Sequence, residues 1–184
     1  MVDTTGRLLV ASPLIGDPNF DRSVILMIEH NAEGALGVVL NNPTRTDVGE
    51  MLPAWAPLTA RPPVFFLGGP VSPESVICLG QAIGDASADE TFHQVVGNLG
   101  TIDLNREPDT FPMDLDEVRL FAGYSGWGPS QLESELAMDA WFVVDADPGD
   151  ALMSSPDELW SFVLARQRGP MAWLANYPID PSLN

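Results

Sequence analysis

VILMIEHNAEGALGVVL, residues 24–40, is the stretch on which the fold turns. Val24–His30 and Leu36–Leu40 are aliphatic runs of strand length, and the link Asn31-Ala32-Glu33-Gly34 between them is short and ends in glycine. That pattern reads as a β-hairpin. Both arms are apolar at nearly every position, so both faces of the hairpin are expected to be covered. A link this short leaves no room for a parallel crossover, which needs a dozen or more residues.

Working outward, Arg7–Ala11 reads as a strand before the hairpin, separated from it by the turn-rich loop Pro13–Arg22. Beyond it come strand runs at Val64–Leu67 and Val76–Leu79, joined through Gly68–Ser75, then weaker ones at Phe92–Val96 and Thr101–Leu104. Val118–Ala122 and Trp141–Val144 complete the set. Pro53–Pro63 holds four prolines and cannot stay regular for long. Gly84–Glu90 and Asp103–Asp116 read as acidic loops. Helices are expected at Asp47–Leu52, capped by Asp47, at Pro129–Asp139, and at Pro156–Arg168. The last is specified by Ser155 as N-cap, Pro156 at the first helical position and Glu158 closing a capping box. Leu159, Phe162 and Val163 should face the core, and Gly169-Pro170 should stop the helix before a further turn around Met171–Asn176. Strands outnumber helices and most are joined by short links, so the fold class is α+β: a mixed, mostly antiparallel sheet with a few packed helices, in one domain over residues 1–184.

The chain carries a net charge of −18 and no lysine; its eight basic residues are scattered arginines. Nucleic-acid binding draws its affinity from cations at phosphates, so direct DNA or RNA binding is disfavoured, as is an anionic membrane surface. No apolar run approaches the ~20 residues of a membrane span, and the N-terminus lacks the pattern of a signal peptide. The single cysteine, Cys78, lies in the apolar run VICLG and reads as a buried hydrophobe. A reducing cytoplasm suits this composition.

Gly123–Glu135, GYSGWGPSQLESE, reads as a strand running into a glycine turn that launches a helix. Ser125 there occupies the setting of a nucleophile elbow, but G-x-S-x-G requires glycine where Trp127 stands, and both histidines, His30 and His93, precede the serine. The same residues have a purely structural account: Gly123 and Gly126 supply backbone angles closed to other residues, Pro129 opens the helix, and Leu132, Leu136 and Ala140 form its core stripe. No catalytic set follows, no histidine–cysteine spacing suits zinc, Asp145–Asp150 reads as a solvated acidic turn rather than a calcium loop, and no cofactor motif is present. One polar cluster remains: Asp17, Asn19, Asp21, Arg22 and Ser23, with Glu29 and His30 further on. It reads as a hydrogen-bonded loop with Arg22 on a carboxylate, or as a small anion or peptide site centred on Arg22.

Three blocks carry a resemblance: GRLLVASPLIGDPNFDRSVILMIEHNAEGALGVVLNNP, FFLGGPVSPES and RLFAGYSGWGPSQLESELAMDAWFVV. Together they identify the chain as resembling the YqgE/AlgH family over nearly its whole length; Pro53–Pro63 and the terminal IDPSLN depart from it. The resemblance implies a compact α+β fold with a mixed, partly barrel-like sheet and no established catalytic activity. It also brings a transcriptional-regulator label that rests on a genetic link to exopolysaccharide production. The expectation is a cytoplasmic regulatory or adaptor protein acting through an unknown protein partner, more readily than an enzyme. The alternative is a small-ligand binder or hydrolase-like enzyme. The candidate ligand or partner site is Asp17, Asn19, Arg22, Ser23 and His30, with Ser125 and Trp127 of the later segment; no catalytic residue, metal or cofactor is expected.

Overall fold

A computed structural model describes residues 3–84 and 90–177. Its strands are β1 (Arg7–Ala11), β2 (Val24–Asn31), β3 (Gly34–Val39), β4 (Pro43–Asp47), β5 (Val64–Leu67), β6 (Val71–Ile83), β7 (Phe92–Val96), β8 (Leu99–Ile102), β9 (Asp114–Trp127) and β10 (Trp141–Asp145). Its α-helices are α1 (Val48–Met51), α2 (Gln131–Ala137), α3 (Leu159–Ala165) and α4 (Pro170–Trp173), with single 3₁₀ turns between. The strands run β10-β1-β2-β3-β9-β6-β8-β7 across a curled half-barrel, β5 lying parallel to β9 and β4 antiparallel to β5. Every other pairing is antiparallel, and the fold is the expected α+β class. No helix among the described residues is long and apolar enough to cross a membrane.

The hairpin forms as expected, closing on the pair Asn31–Gly34. Its arms are covered on both faces. Val24, Leu26, Val38 and Leu40 join Leu8, Val10, Phe66 and Phe121 in a core sealed by Leu159, Trp160, Val163 and Leu164. Ile25, Met27 and Val39 point the other way, into a second core with Leu9, Ala11, Trp127, Leu132 and Trp141 under α2. A third core, around Val48, Trp55, Phe65, Cys78 and Leu120, fills the far half of the sheet, and Cys78 is buried in it.

β9 is longer than the sequence suggests, and this corrects the expected glycine turn. Gly123-Tyr124-Ser125-Gly126-Trp127 is strand. Residues up to Tyr124 pair with β6, and Ser125–Trp127 cross to β3, so one strand joins the two halves of the sheet. Gly123 makes the change of direction: its φ is +69°, and a Cβ there would stand 2.7 Å from the Gly69 carbonyl oxygen. Gly126 has no such angle and is ordinary strand. The turn lies one step later, at Gly128-Pro129-Ser130, with Ser130 left-handed at φ 62°, so Pro129 precedes the helix instead of opening it. The Gln131 side chain reaches back to accept from the Gly128 N–H at 3.1 Å.

Other expectations also shift. β6 begins at Val71, because the supposed connection pairs Val71 with Tyr124. β8 starts two residues early, at Leu99, and β9 takes in Asp114 from the expected loop. Ser155 makes no side-chain cap, and Pro156–Glu158 is a 3₁₀ turn ahead of α3. Leu159 and Val163 are buried, but Phe162 is 51% exposed, with Arg166 above its ring. Asp150 is buried, not solvated: Arg166 donates to both its carboxylate oxygens at 2.6 Å and lies 3.2 Å from Asp147. The expected loop Gly84–Glu90 falls largely, and IDPSLN wholly, outside the described residues.

Arg119 on β9 is the largest fully buried side chain. Its guanidinium lies 4.2 Å over the Phe66 ring and donates to the carbonyls of Ala151, Met153 and Arg61. Burial pushes its pKa down to about 10, which leaves it charged at neutral pH. Three carbonyls in place of a carboxylate tie two irregular segments to the central strand.

Candidate functional site

The loop Pro13–Arg22 is built by local hydrogen bonds. Asp17 Oδ1 accepts from the Asn19 backbone N–H at 2.9 Å and from its side-chain amide at 3.0 Å. The Ser23 N–H donates to the Phe20 carbonyl at 3.0 Å. Asn41 holds the loop end, accepting from the Val24 N–H and donating to the Arg22 carbonyl. Arg22 itself sits at φ 53°, stacks 4.5 Å over Trp160 and donates to the Tyr177 carbonyl. It therefore docks the loop on the C-terminal helices. The carboxylate partner expected for it is replaced by that carbonyl and an aromatic face.

The other expected site residues are dispersed. His30 is buried, with Nδ1 3.0 Å from Thr4 Oγ1 and Nε2 3.4 Å from Glu133. Ser125 is completely buried, and its Oγ donates to the Gly68 carbonyl at 3.1 Å. Ser23 is buried beneath the loop, and Asn19 is exposed on it. Arg22, His30 and Ser125 thus have separate partners, and none of the three lines either of the two clefts described below. Asp17 and Trp127 do come together, across a cleft that the sequence did not suggest.

That cleft, of about 370 Å³, opens between the loop and α2. The loop contributes Ile15, Gly16, Asp17 and Phe20; α2 contributes Gln131 and Glu135; Trp127 and Trp141 come from β9 and β10. The rings pack edge to face, Phe20 on Trp141 with centroids 5.5 Å apart and Trp127 on Trp141 at 6.2 Å. Both indole N–H groups donate to one oxygen, Glu135 Oε2, at 2.9 and 2.8 Å, while Gln131 donates to Oε1 at 3.1 Å. Phe20, Glu135 and Trp141 are the residues that sequence reasoning missed. Their only signal was a pair of tryptophans flanking an amphipathic helix that carries Gln131 and Glu135 at i, i+4 spacing. A second, shallower cleft of about 420 Å³ lies across Gly126 and Trp127, lined by Glu29, Asn31, Glu33 and Tyr124. Among the described residues no three His, Cys, Asp or Glu side chains gather as metal ligands would.

Fold and cleft together describe an α+β protein with a cleft in which two carboxylates and an amide lie beside aromatic rings. A family model described as AlgH-like matches residues 8–172. The chain belongs to the AlgH-like (YqgE/AlgH) family. A UPF0301 protein of Streptomyces avermitilis is 50% identical over 98% of this chain and 95% of its own length. One from Mycobacteroides abscessus is 42% identical over 97% and 87%. A crystal structure of a Corynebacterium diphtheriae protein superposes with TM-score 0.88 at 31% identity, covering 94% of this chain and 92% of that one. The solution structure of AlgH from Pseudomonas aeruginosa gives 0.71 at 26% identity, over 96% and 95%.

Proposed function

We propose that this protein is a non-enzymatic recognition module, an adaptor or regulator that acts by binding a protein partner at the cleft between the Pro13–Arg22 loop and α2. The observation that carries this reading is the division of labour among the polar side chains. Ser125 and His30, the serine and histidine considered as a nucleophile and its base, are buried in structural hydrogen bonds. The polar side chains that line the cleft are two carboxylates, one amide and two indoles, set among apolar neighbours. Aromatic side chains offer large contact area at low entropic cost and dominate binding hot spots. No histidine lines this cleft, and of the two carboxylates that could serve as a base there, Glu135 is held by both indole N–H groups and the Gln131 amide. The −18 charge supports protein contacts over direct contact with DNA phosphates, so the regulator label of some relatives fits an indirect route.

A photo-reactive benzoylphenylalanine at Leu14, next to the cleft and exposed, tests this in the native host. A discrete protein adduct, absent when the same group replaces the exposed Met51 on α1, is the expected result. Identical adduct patterns at both positions, or none at Leu14, overturn the reading.

A further inference from the structure

Within that recognition reading, on which this inference rests, the geometry points to a specific occupant: the cleft receives a lysine or arginine side chain from the partner polypeptide. Three rings, Phe20, Trp127 and Trp141, line it in edge-to-face contact. Ring faces attract cations, tryptophan most strongly, and cages of such rings are how alkylammonium groups are recognised. Glu135 fixes the two indoles by their N–H edges. These are the positive ends of the ring quadrupoles; the rings are 7% and 4% exposed, so a ligand meets only the part of each that lines the cleft, beside the carboxylate that holds them. The charges agree. Asp17 and Glu135 are the ionisable groups lining the cleft, both acidic, and no arginine lines it. The nearest in sequence, Arg22, is committed to Trp160 and the Tyr177 carbonyl. Asp17 places only Oδ1 in the loop's own hydrogen bonds, and the net charge of −18 draws cations toward the whole molecule. Size narrows the choice further. A cleft of about 370 Å³ lies near the lower bound of small-molecule sites and takes a side chain rather than a helix.

The test follows the indole ¹⁵N–H signals of the full chain during titration with end-blocked Ala-Lys-Ala and Ala-Arg-Ala. The signals of Trp127 and Trp141 should shift, with Kd on the order of 1 mM, while those of Trp55, Trp160 and Trp173 stay in place. The norleucine peptide, which keeps the length and loses the charge, should shift neither by a comparable amount. Asp17→Asn keeps the side-chain oxygen that the turn needs and should weaken binding about threefold to tenfold, as should Phe20→Leu, consistent with one lost cation contact each. Equal response to the norleucine peptide, or no shift up to about 20 mM, overturns the charge assignment. n-Butylammonium binding as tightly as the lysine peptide overturns the polypeptide source. A cross-linked partner at Leu14 together with indifference to charge would sink this inference and leave the recognition reading standing. No cross-link at Leu14 beside a charge-dependent shift of the two indoles would sink the recognition reading and, with it, the polypeptide source, leaving only a cleft that prefers cations.

Discussion

Ser125 Oγ donates to the carbonyl oxygen of Gly68, which also accepts the Val39 N–H. The serine clamps β9 to the end of β5. Ser125→Ala leaves that carbonyl still hydrogen-bonded, so the loss should be that of one ordinary hydrogen bond, about 0.5–1.5 kcal/mol. Urea denaturation measures it, and cross-linking from Leu14 should be unchanged. A folded Ser125→Ala protein that has lost its partner would return the hydroxyl to a direct role.

Gly123 and Gly126 should behave oppositely although they stand in one short motif. Gly123→Ala places a Cβ in a left-handed backbone, 2.7 Å from a carbonyl oxygen, and should cost about 1–3 kcal/mol. Gly126→Ala meets nothing closer than 3.4 Å and should stay within about 0.5 kcal/mol of the parent. Thermal melts of the two variants side by side decide it; equal destabilisation would mean that the kink does not reside at Gly123.

Arg119→Met keeps the apolar stem and removes the guanidinium from three carbonyls. Leaving them unpaired should destabilise the fold by about 2–4 kcal/mol. Arg119→Lys should recover only part of this, because an ammonium cannot reproduce the planar fork. Proteolysis under native conditions should cut first in 53–63 and 148–155, the two segments that the guanidinium secures. Cuts confined to other loops would show that Arg119 does not hold them.

Cys78 is buried, and burial pushes its thiol well above the ordinary range. Since the thiolate is the reactive form, a disulfide reagent should label the native chain far more slowly than the urea-unfolded chain. Equal rates would place Cys78 at the surface.

The hairpin, the antiparallel bias and nearly every strand were legible because aliphatic runs and glycine punctuation are local signals. The centre of β9 was not. Gly123 and Gly126 look alike in sequence, and only pairing with β3, on a strand far away in the chain, makes Ser125–Trp127 strand instead of turn. Ser155 and Glu158 matched a capping box that tertiary packing replaced with a 3₁₀ turn. The cleft was half legible: Asp17 and Trp127 stood out, whereas Glu135 gains its meaning only when two indoles from different strands converge on one oxygen. Arg22 was chosen for its charge, and its place was decided by the C-terminal helices.

The docking of those helices has a consequence for biosynthesis. β1 finds one neighbour in β10, the Trp160 indole donates to the Ala11 carbonyl 149 positions away, and Arg22 reaches Tyr177 across 155. A chain emerging from the ribosome amino end first can close its hairpin early. Its first strand must then wait, with one edge and one face open, until residues 141–165 have been added. Until then the nascent protein exposes the aliphatic surface of residues 7–40, and a chaperone that shields short apolar strands would meet it there.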